Sequence, residues 1–214
     1  VFGCKPPSKR CSQSAEHKRI DASKGTATRQ GATLNIAANA GAPVVFKDWK
    51  LAESKSADGD GETHWYLGTL PGSGYARVEV QFEHDAPGDF LINAANGKSA
   101  FVHNGSDVVA LSPEGLSVLT YDNLNAPMSM RIASLGRDGP SIAVQCVGKA
   151  DDRTQVEIRG WRDAKTVDLA IVSRDEAGQR AQTAAVRLQK IGSVWQIATG
   201  NPERLLALGF SCRD

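Results

Sequence analysis

Aromatic residues make up only 6% of this 214-residue chain, which has 2 Met and 4 Cys. No apolar run approaches the roughly 20 residues that a membrane-spanning helix needs, which excludes that class. A dominant charge is missing too, with 25 Lys and Arg against 24 Asp and Glu. Without a basic stripe, nucleic acid is not the expected partner. Catalytic signatures are also lacking: there is no G-x-S-x-G, no H-E-x-x-H and no C-x-x-C. A nucleophile elbow, a zinc protease helix and a thioredoxin-type site are therefore not indicated, and no cofactor is expected. Gly97-Lys98-Ser99 is a fragment of a phosphate loop, but the Gly required five residues before Gly97 is Ile92. The segment after Ser99 reads as a strand rather than a helix, so a hairpin turn is expected there.

What the chain does have is a series of short apolar stretches separated by turn signals. The clearest, residues 75–84, alternates Val78, Val80 and Phe82 with Arg77, Glu79, Gln81 and Glu83. Period-two alternation predicts a half-buried strand. Further strands are expected over 33–36, 44–49, 63–70, 90–92, 100–102, 107–111, 116–121, 128–135, 141–147, 155–161, 167–173, 184–189 and 194–198. Asn96-Gly97 suits a type I′ hairpin turn. Asn201-Pro202, followed by Leu205, Leu206, Leu208 and Gly209, carries the one good helix signal, over 202–208. The fold class expected is all-β with one short C-terminal helix. Residues 1–31 are polar and basic and read as a flexible tether, leaving 32–214 as a single β-rich domain.

Three stretches look like successive sheet units. In the middle one, strand 107–111 runs into Ser112-Pro113-Glu114-Gly115, then strands 116–121 and 128–135 follow, closing at Gly136 to Gly139. Asp163 follows Glu114 by 49 residues, again in a turn before an apolar strand. Such spacing resembles the TolB/WD40-like β-propeller blade, whose SPDG-like turn precedes the second visible strand. The resemblance implies a propeller or partial propeller and a binding scaffold. A β-sandwich is the alternative, because a closed propeller needs about four blades.

Val1-Phe2-Gly3-Cys4 resembles the lipobox of bacterial lipoproteins, and the resemblance implies lipidation of Cys4. The remaining Cys are Cys11, Cys146 and Cys212. An even count in an exported chain suggests disulfides. Cys146–Cys212 would staple the C-terminal end to the sheet, and Cys4 pairs with Cys11 if it is not lipidated. The basic N-terminal residues either form a solvated tail or meet an anionic membrane surface.

Two clusters are candidates for chemistry. Asp58, Asp60 and Glu62 place carboxylates at alternate loop positions, a weak possibility for Ca²⁺ beside the simpler reading of a solvated loop. No metal is otherwise expected. His84, Asp85, His103 and Asp107 end expected strands and could form a polar rim. The functional expectation is a non-catalytic protein-binding module of the bacterial cell envelope: an inhibitor, immunity-type or adaptor lipoprotein. It would lie in the periplasm or on the outer membrane, anchored through Cys4, with a protein partner in the envelope. The alternatives are a structural accessory subunit of an envelope complex and a hydrolase of unrecognised type.

Overall fold

A computed structural model describes residues 13–50, 61–82, 87–103, 110–122, 129–147, 154–198 and 211–213. These residues are overwhelmingly β, in four antiparallel sheets with a single helix and no closed barrel among them. Contacts divide the chain into two compact units where the sequence suggested one domain over 32–214. Unit 1 takes the described residues as far as His103 together with Leu135–Ser141, and unit 2 takes the rest.

Unit 1 starts with α1 (Gln13–Ala22) and a small sheet of β1 (Ala27–Gln30), β2 (Thr33–Ile36) and β3 (Val44–Lys47). A second sheet runs in chain order through β4 (Trp49–Lys50), β5 (Gly61–Leu70), β6 (Tyr75–Phe82), β7 (Gly88–Asn93) and β8 (Ser99–His103). The core joins Ala27, Leu34, Ile36 and Phe46 of the small sheet to Tyr66, Ala76, Val78 and Ile92 of the larger. Each large aliphatic chain buried this way contributes about 1.5–3 kcal/mol against exposure.

The tether reading fails for residues 13–31. Helix α1 has little apolar character, yet Glu16 is buried and Ile20 packs against the core. Ala27 is itself a core residue. This helix is held by a buried carboxylate rather than by an apolar stripe, so hydrophobic periodicity could not find it. Residues 1–12, including Cys4 and Cys11, lie outside the described residues, as does the helix expected at 202–208.

Unit 2 contains two sheets. The first comprises β9 (Ala110–Leu111), β10 (Ser117–Asp122), β11 (Ser129–Gly136) and β12 (Gly139–Val147), with the tip Leu135–Ser141 belonging to unit 1. The second is the meander β13 (Thr154–Asp163), β14 (Thr166–Arg174), β15 (Arg180–Ile191) and β16 (Val194–Ile197). Strand β17 (Ser211–Arg213) adds to the free edge of β12 in the first sheet. Leu119, Met130, Ile132 and Val144 of one sheet share a core with Val167, Leu169, Ile171, Val186, Leu188 and Trp195 of the other. The ring of Trp161 meets Trp195 edge-on, with centroids 5.8 Å apart.

The turns follow the residues that make them. Gly115 N–H donates to Ser112 O at 2.9 Å, and Ser117 N–H donates to Ser112 Oγ at 3.0 Å, closing the turn between β9 and β10. Asp163 Oδ1 accepts the Lys165 N–H at 2.8 Å between β13 and β14. Glu114 lies in the loop between β9 and β10, whereas Asp163 is the last residue of β13 and adjoins the short turn into β14. The Asn96-Gly97 hairpin also forms, but not as a two-residue turn. Gly97 N–H donates to Asn93 O at 2.8 Å across a longer loop, and only Gly97, at φ 73°, takes the left-handed conformation there. Ser99 opens strand β8, so Gly97-Lys98-Ser99 is a hairpin and not a phosphate loop.

Candidate functional site: an arginine-lined groove

Most of the residues singled out by sequence lie beyond what the structure describes. Asp58, Asp60, His84, Asp85 and Asp107 lie outside the described residues. The backbone of His103 ends β8 opposite Gly88. Glu62 sits in β5 with Oε2 3.9 Å from His64 Nε2. No cluster of three metal-ligating side chains occurs among the described residues.

Two buried polar clusters occupy unit 1. In the first, Arg29 reaches Glu16 and Asp48 through ion pairs of 2.7 Å each, and it also donates to the carbonyl of His64. Asp48 Oδ1 accepts the His64 N–H at 2.8 Å and lies 3.1 Å from His64 Nδ1. Burial, the largest single influence on Arg29, pulls its pKa down. The hydrogen bond and charge of Glu16, with those of Asp48, outweigh it and hold the guanidinium above its ordinary value. A His–Asp contact invites a catalytic reading, but the Asp48 carboxylate is spent on a guanidinium and a backbone N–H. Its geometry ties β1, β5 and the β3–β4 junction together.

The second cluster corrects the reading of β6. Arg77 and Glu79 were expected to face water, and both are buried. Arg77 donates from Nε and Nη2 to the two oxygens of Asp89, each at 2.9 Å, a two-pronged pair that suits guanidinium geometry. Gln81 bridges Glu79 and the indole N–H of Trp65. Strand β6 is buried on both faces, one apolar and one ionic.

The open site lies in unit 2, on the face of the β13–β16 sheet that points away from its core. A groove of about 530 Å³ is lined by Arg159, Arg162, Asp168, Ala170, Thr183 and Arg187, among others. Local backbone irregularity makes it. Register between β13 and β14 slips at Ile158/Gly160 and again at Trp161/Asp163. The residues inserted by those slips are Arg159 and Arg162. A β-bulge leaves one residue unpaired and re-aims its side chain. Between them, Gly160 adopts φ 137°, a conformation that a side chain would strain. Alternation along the neighbouring strands puts Asp168, Ala170, Ala185 and Arg187 on the same face, with Asp168 opposite Arg187 and Ala170 opposite Ala185.

Charge in this region is organised in two sets. Asp168 receives Arg187 Nε on Oδ1 at 2.9 Å and Arg162 Nη2 on Oδ2 at 2.8 Å. Those two hydrogen bonds, Arg187 first, hold its carboxyl below the ordinary aspartate value. Glu157 is likewise shared between Arg159, at 2.7 Å, and Arg180. Each carboxylate balances one of its two guanidinium groups, so the two clusters together carry two positive charges in excess. All four arginine side chains are between 42% and 56% exposed, so their remaining N–H donors can be reached by a ligand. Small alanines on the groove floor leave room for one. Neither the charge count nor any motif pointed to this groove. The usable signal was Gly160 inside an otherwise strand-like run between two arginines, because an internal strand Gly often marks a bulge.

In the other sheet of the same unit, Cys146 and Cys212 stand opposite each other in the β12–β17 ladder. Their Cα atoms are 3.9 Å apart with Sγ atoms at bonding distance, a disulfide-capable pair.

No family model, curated protein or solved structure matches the chain.

Proposed function

We propose that this chain is a protein-binding module of the bacterial cell envelope that does no chemistry of its own and uses the arginine-lined groove as its recognition surface. The observation that carries the reading is the pair of β13 bulges. They bring Arg162 onto the face that alternation gives Glu157 and Arg159, beside Arg187, where the arginine side chains stay about half exposed. Arginine is favoured at recognition surfaces because its planar fork bonds carboxylates in two places and loses less freedom in doing so. The envelope location rests on separate ground: the lipobox-like Val1-Phe2-Gly3-Cys4 and the disulfide-capable Cys146 and Cys212, which suit an oxidising compartment. Anchoring through Cys4 would hold the module at a membrane surface.

The test is capture of a partner by cross-linking from envelope extracts, followed by quantitative binding of the purified partner. Wild-type chain is compared with R162E/R187E, and each protein's melting temperature is checked. Loss of binding without loss of folding supports the reading. Undiminished binding by the double variant would remove the groove from it, and a turnover activity abolished by H84A or H103A would replace it with a hydrolase.

A further inference from the structure

Resting on that binding reading, we infer that the groove takes an extended acidic segment of a partner protein, with carboxylates at alternate positions along the segment. The two shared carboxylates show where anions sit on this face. Asp168 lies on β14, two residues before Ala170, and Ala170 is opposite Glu157 on β13. Two residues of strand span about 6.6 Å, so the two arginine sets follow each other along the sheet at the repeat of a β-strand. An extended peptide presents side chains i and i+2 on one face with the same repeat. Its two carboxylates would reach the two sets together, and its small or polar intervening residues would face outward.

The charge balance selects a carboxylate segment over a polyanion. Two guanidinium groups are in surplus in these two clusters, while the whole chain holds 25 basic against 24 acidic side chains. A nucleic acid or an anionic bilayer is held by many phosphate contacts over a wide area. Two surplus charges flanking a floor of Ala170 and Ala185 fit two carboxylates instead. The Thr183 hydroxyl on the groove wall adds a hydrogen-bonding group for the backbone of the segment.

The experiment uses the full chain and defined probes. A labelled peptide with Glu at alternate positions is titrated against wild type, R162A/R187A and R159A/R180A. A peptide of the same composition with its Glu residues adjacent is run beside it, as are phosphatidylglycerol vesicles and single-stranded DNA. The alternating peptide should bind at least several-fold more tightly than the adjacent one. Each double variant should weaken it about tenfold or more, and raising salt from 50 to 300 mM should weaken it further. Equal affinity for the two peptides, no peptide binding, or groove-dependent binding of vesicles or DNA alone would each overturn the inference. Failure here is separable from failure of the binding reading. If R162E/R187E abolishes partner binding while no acidic peptide binds, only the ligand class is wrong. If partner binding ignores the arginines, the groove is not the recognition surface.

Discussion

Glu16 Oε1 accepts the backbone N–H of Tyr66 at 2.8 Å, joining a helix to a strand 50 residues away. The same oxygen accepts from Arg29 Nη2 at 3.0 Å, and the glutamate is almost fully buried. Tyr66 N–H needs a side-chain acceptor, because it points to the edge of β5 beyond the two residues that β4 pairs, as the His64 N–H bound by Asp48 does. E16A would leave both that N–H and the Arg29 charge without their buried partner. Breaking a buried ion pair from one side costs about 3–5 kcal/mol. The expected result is a fall of that size in urea-unfolding stability, with E16Q intermediate because it keeps an acceptor for Tyr66. Deleting residues 13–31 should lower the melting temperature sharply. A deletion variant as stable as wild type would restore the tether reading of this segment.

Phe101 crosses the strand pair and covers Gly88. A Cβ built on Gly88 would meet the Cζ of Phe101 and clash with the edge of its ring. In place, that ring stands 5.1 Å from Phe90 and 6.4 Å from Phe82. G88A should therefore displace Phe101 and lose those aromatic contacts, at about 1–2 kcal/mol. In an F101A background the same substitution should cost almost nothing, because Ala suits a strand interior at least as well as Gly. The coupling is read from a double-mutant cycle, and additive effects would show that Phe101 is not the obstacle.

The pattern of strands was legible because it depends on local chemistry. Alternation in β6, the apolar run of β14 and the Ser112 to Gly115 turn each announce themselves within ten residues. The elements missed are those stabilised at long range. Helix α1 depends on Glu16 meeting Arg29 and Tyr66, and neither partner is visible from the helix itself. Strand β17 has three residues and is defined by pairing with β12. The groove was hidden for a related reason: Arg159 and Arg162 look like ordinary surface residues until a register slip brings Arg162 onto the face of Arg159 and Arg187. Arg77 and Glu79 misled in the opposite direction, since alternation cannot distinguish a solvated polar face from a buried ion-paired one.

Cys146 and Cys212 should be found joined when the protein is made in an oxidising compartment. Peptide mapping without reductant checks this directly, and finding both thiols free would end the claim. The pair closes a loop with a sequence separation of 66. In the chain-entropy account a loop of that length gives roughly 4 kcal/mol, less any strain in the folded state. C146A/C212A should lose stability on that scale and release β17 first, because the three-residue pairing is otherwise slight. Hydrogen exchange at residues 211–213 reports that release.

Within unit 1, Tyr75 Oη donates to the carbonyl of Gly136 at 2.6 Å, while Asn93 Nδ2 reaches the phenol oxygen at 3.4 Å. Burial raises the phenol above its ordinary value of 10.0, the negative charge of Asp138 adds to that, and Asn93 partly opposes it. A pKa that is higher folded than unfolded stabilises the protonated, folded form. Its contribution is complete below about pH 10 and is lost as pH rises from there through the folded value. Y75F removes both the bond and the titration. At pH 7 it should cost about 0.5–1.5 kcal/mol. As pH rises above 10 the gap between wild type and Y75F should shrink, since only in wild type does unfolding free a phenol to ionise. A constant gap would mean that this hydroxyl is not sensed by folding.

Asp168 presents the reverse sign. Its carboxyl is held below the ordinary 3.8 by the hydrogen bonds from Arg187 and Arg162, with slight burial opposing. A pKa that is lower folded than unfolded stabilises the ionised form, so the contribution is present above about pH 3.8 and disappears as pH falls through the lower folded value. The side chain is 32% exposed and its partners more so, which limits the effect to the range of about 0–1 kcal/mol seen for surface pairs. D168N should therefore leave the fold nearly unchanged at neutral pH while flattening the stability curve below pH 4. Its larger consequence should appear in binding. Asp168 competes with an incoming carboxylate for Arg162 and Arg187, and neutralising it frees both guanidinium groups. The alternating Glu peptide should bind D168N several-fold more tightly than wild type and D168R more tightly still, the differences fading at high salt. If D168N instead weakens the peptide at unchanged melting temperature, Asp168 is orienting the two arginines for their ligand rather than competing with it.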